Sequence, residues 1–257
     1  MITPFDKAIN VIKTRGFHNH RLESHSDVAS LGIFDDLIKN CEAIRKDIET
    51  NEVHQWLNVP TPGARGRKID LLIAKPLPNG KPNLKELRLS VENKSVVTAH
   101  RNCDSRFDDL NQSLKVLHGA KPEAVKITTI LVGVAERVLN VPDRIKPMLE
   151  PDKFVKDVLP RLSSGDQTLW TDFPHAISKN RPDDAKKTVL KFGQLTKRPP
   201  GQTHIEGYDY VLIVPVNIDN VNPPSIARTN SLGIDFDQEY QKMLDQICKA
   251  YTARWHL

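Results

Sequence analysis

Long apolar runs are missing. No stretch of the 257 residues approaches the ~18 consecutive apolar positions that a membrane-spanning helix needs, so no membrane span is expected. The opening MITPFDKAIN has no basic region followed by an apolar run, so no signal peptide is expected either. Cysteine is scarce. Cys41, Cys103 and Cys248 form no CxxC pair, which leaves a zinc ribbon or a disulfide framework unsupported. Free thiols in a reducing cytoplasm are the expectation. No internal repeat or low-complexity tract is present. Gly63-Ala64-Arg65-Gly66-Arg67-Lys68 lacks the glycine spacing and final Ser/Thr of a phosphate-binding loop, and no GxSxG nucleophile elbow occurs, which argues against an ATPase or a serine hydrolase.

What is present is an ordinary globular composition, with 39% hydrophobic and 27% charged residues, enough for a core. Lys plus Arg number 37 against 32 Asp plus Glu, a net charge of +5. That balance is compatible with a polyanionic partner and does not establish one.

The pattern predicts an amphipathic helix over residues 4–14 and a longer one starting near Ser26 or Asp27, with Leu31, Phe34, Leu37, Ile38, Cys41, Ile44 and Ile48 at three- and four-residue steps. His18-Asn19-His20, with His25 nearby, falls in a short polar turn rather than in the frame an HNH metal site needs. Residues 58–66 read as a Pro/Gly-rich loop. Residues 68–74 and 86–94 read as two strands. On the second, Leu87, Leu89 and Val91 alternate with Arg88, Ser90, Glu92 and Lys94. A helix follows over 104–118, then a buried strand over 127–135. Further on come a helix near 143–160, a strand over 208–214 and an amphipathic C-terminal helix over 235–254. The order to residue 135 is α-β-β-α-β, a mixed α/β fold with a central sheet flanked by helices. One elaborated domain over 1–257 is expected, its core about 27–135 and the rest accessory strands, loops and the C-terminal helix.

Three residues concentrate the chemistry. Asp70 lies on the first predicted strand; Glu92 and Lys94, two apart on the second, share a face. If the strands pair, two carboxylates and an ammonium meet at the polar end of a sheet. Two carboxylates with room beside them suit Mg²⁺, a hard cation that keeps several waters, with Mn²⁺ as substitute, and the Asn93 carbonyl is a further ligand candidate. Lys94 is placed to orient an attacking water or to stabilise developing negative charge. Around them gather Arg65, Arg67, Lys68, Ser95, Thr98, His100, Arg101, Asn102 and Arg106, residue types that contact phosphates and base edges.

Ile69-Asp70 followed by Glu92-Asn93-Lys94 resembles the motif of the PD-(D/E)xK nuclease superfamily, with Ile69 in place of the usual proline. The resemblance covers roughly residues 27–135 and implies a restriction-endonuclease-like α-β-β-β-α-β core, in which Asp70 and Glu92 bind Mg²⁺ and Lys94 assists the water. The third strand is not evident; Val96-Val97-Thr98 is a candidate stub. Many members add an acidic residue from the first helix, for which Glu42 is the candidate and Glu23 a second. The implied function is a Mg²⁺-dependent endodeoxyribonuclease, most specifically a type II restriction enzyme acting as a homodimer on double-stranded DNA, with a cognate DNA methyltransferase encoded nearby. A repair or resolving nuclease and a non-catalytic nucleic-acid-binding protein of the same fold are the alternatives.

Overall fold

The computed structural model describes residues 2–15, 24–61, 68–98, 100, 102–140, 152 and 154–256. Three helices come first: α1 (Pro4–Arg15), α2 (Ser24–Asn40) and α3 (Glu42–Glu49). The long helix expected from Ser26 onward is broken at Cys41, whose extended backbone separates α2 from α3. Strands β1 (His54–Pro60), β2 (Lys68–Pro76) and β3 (Pro82–Val96) form an antiparallel meander. Helix α4 (Cys103–Ala120) then crosses over to β4 (Val125–Gly133), which runs parallel to β3. The chain continues through β5 (Arg137–Leu139), α5 (Leu159–Ser164), α6 (Leu169–Asp172), β6 (Ile177–Lys179) and α7 (Asp184–Phe192). It returns as β7 (Tyr210–Asn217) parallel to β4, adds the short β8 (Ser225–Ile226), and ends in α8 (Phe236–Trp255). The result is a mixed α/β fold on one six-stranded sheet of order β1-β2-β3-β4-β7-β8.

The third strand of the meander is β1, which precedes Asp70 instead of following Lys94. From the sequence alone, residues 54–57 carry no strand signal and 58–60 read as loop. HQWLNVP carries little alternation because β1 is an edge strand, half-exposed along most of its length. The order from α3 to β4 is therefore α-β-β-β-α-β. β4 is buried at all nine positions, with helices over both faces of the sheet. On one face α1, α2, α3 and α8 close a core around Leu71, Ile73, Leu89, Val91 and Ile127. On the other, α4 and α7 cover Ile130, Val132, Leu72 and Ala74.

Two breaks in strand alternation matter. Register shifts where Ile73 and Ala74 meet Leu89 and Leu87, a bulge that puts Leu87 and Leu89 on opposite faces rather than the same one. Arg88 is thereby turned toward α3 and α8, where it pairs with Asp47 and Glu52. Ile69 packs with Leu72 instead of with Leu71, so alternation also breaks across Asp70.

Cys41 and Cys248 are bonded to each other, with Cα atoms 5.3 Å apart, and Cys103 is the free cysteine. The expectation of three free thiols is corrected: spacing along the chain conveys nothing about a contact that α8 makes with the α2–α3 junction. Among the described residues no helix is long and apolar enough to cross a membrane.

Candidate active site at the fork of two strands

Pairing between β2 and β3 runs as far as Leu71 opposite Val91. Asp70 and Glu92 are the next residues on the two strands, at the mouth of a fork. Asn93 closes the fork: its backbone N–H donates to Asp70 Oδ2 at 2.7 Å. In an extended strand a residue's N–H and C=O point to the same side, so the Asn93 carbonyl faces the Asp70 side as well. Glu92 points the other way along the ladder, its own carbonyl accepting from Thr128 Oγ1 on β4 at 3.0 Å.

The two carboxylates are approached from opposite faces of the sheet. Ser26, in the first turn of α2, donates its hydroxyl to Asp70 Oδ1 at 2.9 Å. Ser113 on α4 donates to Glu92 Oε1 at 3.1 Å, and Lys94 Nζ lies 2.6 Å from the same oxygen. Glu92 is 3% exposed, and the Lys94 side chain 14%. The other oxygen of Glu92, Oε2, is buried with no hydrogen-bond partner among the described residues.

Burial raises the pKa of both carboxyls, because the charged form loses water. Lys94 opposes the shift at each, helped at Asp70 by the Asn93 N–H and Ser26 and at Glu92 by Ser113. Asp70 raises Glu92 further, so the two negative charges feel one another. One ammonium thus serves two desolvated carboxylates. An added cation would balance the charge and give Glu92 Oε2 a partner. Hard oxygen donors at an under-compensated site fit a Mg²⁺-class ion, which takes one or two carboxylates and retains waters. Among the described residues there is no cluster of three or more His, Cys, Asp or Glu side chains that would suit a metal bound wholly by such groups.

No family model, curated protein or solved structure matches this chain.

The structure brings Asp70, Glu92, Asn93 and Lys94 together. Glu42 it leaves apart, exposed in the first turn of α3 and sharing no hydrogen bond or ion pair with this group among the described residues. The helix carboxylate that acts on Asp70 is Asp27 of α2, whose charge raises the Asp70 pKa and whose Oδ1 accepts from Asn58 Nδ2 at 2.9 Å. In the sequence Asp27 looked like a helix cap. Only the pairing of α2 with the fork reveals its second role. Glu23 lies outside the described residues, as do Arg65, Arg67 and Arg101.

Of the other residues assigned to nucleic acid, Lys68 is exposed at the start of β2 and Asn102 is exposed ahead of α4. Ser95 and Thr98 are half-buried, with hydroxyl oxygens that find no hydrogen-bond partner among the described residues. Arg106 is half-buried beside Asp109 at 3.4 Å. His100 is corrected. It is buried, with Nδ1 2.6 Å from Thr188 Oγ1 and Nε2 3.1 Å from the Gly133 carbonyl. The carbonyl can only accept, so Nε2 carries the proton and Nδ1 accepts from Thr188. His100 ties the exit of β3 to the end of β4 and offers no face to a ligand. Burial lowers its pKa, in keeping with a neutral ring.

Proposed function

We propose that the chain is a divalent-metal-dependent nuclease that hydrolyses phosphodiester bonds at the β2–β3 fork. The observation that carries this reading is the site itself: a half-buried and a buried carboxylate from neighbouring strands, each raising the other's cost of ionising, share one lysine, and among the described residues one carboxylate oxygen is left without a partner. A solvated polar strand face would have neither the burial nor the vacancy. The α-β-β-β-α-β order around the fork supports the resemblance to PD-(D/E)xK nucleases.

In this reading Asp70, Glu92 and the Asn93 carbonyl hold the metal. The metal, when bound, supplies charge neutralisation at a phosphate oxygen and a more acidic water. Lys94 does the rest from its place 2.6 Å from Glu92: its ammonium orients a water beside the scissile phosphate and stabilises negative charge building on that phosphate. Ser113 and Lys94 together fix Glu92 Oε1, so the vacant Oε2 faces a defined direction. The substrate class is double-stranded DNA, and a type II restriction endonuclease is the specific form proposed. β3, β4 and β7 are parallel, so their C-terminal ends lie together. The small β5–β6 sheet continues from that end with α5 and α6 around its own apolar cluster. An accessory unit thus continues from the end of the sheet at which β3 carries Lys94, which supports a role for it in sequence-reading contacts.

The test is incubation with plasmid and phage DNA with and without Mg²⁺, for the parent chain and for Asp70→Asn and Lys94→Ala. Discrete metal-dependent fragments, lost in both variants with DNA binding retained, are expected. Cleavage that persists in both variants rejects the site, and a limit smear in place of discrete bands rejects restriction in favour of a non-specific nuclease.

A further inference from the structure

The Asp70 carboxylate is held at both oxygens, and one of the two holds comes from a helix. We propose that Ser26 is a positioning residue: from α2, a single hydroxyl orients Asp70 and locks the Asn93 side chain that closes the fork. The proposal rests on the reading of Asp70 as a metal-holding carboxylate and goes beyond it by assigning α2 a part in the site's geometry.

The hydrogen-bond logic leaves no freedom. A serine hydroxyl has one proton. Asp70 Oδ1, an acceptor, takes that proton at 2.9 Å. Ser26 Oγ can then only accept, which it does from Asn93 Nδ2 at 3.0 Å. Ser26 therefore helps set which end of the Asn93 amide faces α2, with a longer contact from the same Nδ2 to the Ser26 carbonyl at 3.5 Å. Its second amide proton goes to Ser30 Oγ, one helical turn further along α2, at 2.8 Å. Its oxygen, turned toward β4, accepts from Thr129 Oγ1 at 2.6 Å. The backbone of the same asparagine holds Asp70 Oδ2 at 2.7 Å. A continuous chain thus runs Thr129–Asn93–Ser26–Asp70, through β4, β3, α2 and β2. It replaces the ladder bonds that cease beyond Leu71 and Val91. With one carboxylate oxygen tied to a helix and the other to a neighbouring strand, Asp70 cannot rotate about its terminal bond without breaking one of them.

A carboxylate partner that merely glued α2 to the sheet would affect stability and leave metal affinity alone. An orienting partner of a metal-holding carboxylate alters affinity, typically by 10–100-fold when removed. The experiment measures Mn²⁺ binding by electron paramagnetic resonance in the full chain carrying Lys94→Ala, so that no turnover is needed, with melting in EDTA as the check on folding. Adding Ser26→Ala is expected to weaken Mn²⁺ binding about tenfold or more, and Ser26→Thr, which keeps the hydroxyl, to restore it. With Lys94 intact, Ser26→Ala is expected to raise the Mg²⁺ concentration for half-maximal cleavage by a like factor while the rate at saturating Mg²⁺ changes much less. Ser30→Ala, which touches Asn93 and not Asp70, has the smaller effect.

Mn²⁺ affinity within twofold of the parent for Ser26→Ala overturns the proposal, and so does an equal loss for Ser30→Ala, which would mark general loosening of α2. Should Ser26→Ala melt too low to assay, Ser26→Cys takes its place: similar in size and a poor donor, it is expected to weaken Mn²⁺ in the same direction, and parent-like affinity overturns the proposal. Asp70→Asn separates the two levels. Unchanged Mn²⁺ affinity in that variant removes the underlying reading, whereas lost affinity there with none lost in Ser26→Ala removes only the role of Ser26.

Discussion

Breaking the Cys41–Cys248 bond should lower the melting temperature more than any single surface change. The bond closes a loop of 207 residues in sequence. Cross-linking removes loop-closure entropy from the unfolded chain, and for a loop that long the entropic relation gives about 5 kcal/mol at 25 °C. Measured values fall below such figures when the reduced chain retains structure, so about 2–4 kcal/mol is the working expectation. For a chain of this size that corresponds to a fall of about 5–15 °C. The bond joins α8 to the α2–α3 junction, where the Tyr240 hydroxyl already donates to Asp36 at 2.8 Å and the Tyr251 hydroxyl to Asp47 at 2.7 Å. These contacts survive reduction, so the variant should fold. The assay is calorimetric melting of the parent and of Cys248→Ser, each with and without reductant, alongside thiol titration of denatured, unreduced protein. One reactive thiol, Cys103, is expected in the parent, and reductant should lower the parent's melting point toward that of the variant. Three reactive thiols, or equal melting points for parent and variant, would refute the reasoning.

Three further outcomes follow from side chains described above. Mg²⁺ at ten times its Kd should stabilise the chain by about 1.4 kcal/mol, visible as a rise of about 3–6 °C in melting temperature that Asp70→Asn abolishes; no rise in the parent counts against the metal site. His100→Ala should cost about 3 kcal/mol, two buried hydrogen bonds and a stranded Gly133 carbonyl, as read from the denaturant midpoint; a loss of DNA affinity at unchanged stability would restore His100 to the DNA-facing residues. Lys126 is fully buried, donates to the carbonyls of Lys121, Pro122 and Ala124, and has its pKa pushed down to about 7 by burial and by Arg198. Above pH 7 the unfolded chain holds a proton there that the folded chain has released, so this lysine makes stability rise with pH toward the unfolded value near 10.5. The slope is about 1.4 kcal/mol per pH unit and should vanish in Lys126→Met; an identical pH profile for parent and variant contradicts the assignment.

Much of the sheet was legible because its central strands are buried. The apolar run of β4 and the stripe of α8 announce themselves through periodicity, and both are found where expected. What escaped notice lacks a periodic signal for a physical reason. β1 is an edge strand with half-exposed residues on both sides, so neither face of HQWLNVP had to be apolar. The bulge at Leu87–Leu89 is equally silent, since both leucines are buried, only on different faces. The break of the long helix at Cys41 is hidden because apolar residues continue in helical steps on either side of it.

At the site, the side chains were legible and their supports were not. Asp70, Glu92 and Lys94 stand out as charges beside the buried stretches of β2 and β3, where a charge costs free energy unless something balances it. Asp27, Ser26, Ser30 and Ser113 are common helix residues, and nothing in their local spacing distinguishes a surface position from one aimed at a carboxylate. That asymmetry is physical. The groups proposed to meet the metal and the phosphate are constrained by chemistry to be carboxylates and an ammonium, whereas the groups that orient them need only one proton at the right place, which a serine on any nearby helix can provide. The same reasoning says where tolerance should lie: Glu92 to Gln removes half the negative charge of the fork and no serine can replace it, while the Ser113 hydroxyl on Glu92 Oε1 duplicates a hold that Lys94 already supplies at 2.6 Å. Ser26 has no such understudy at Asp70 Oδ1 among the described residues, and for that reason it is the support whose loss the site should feel most.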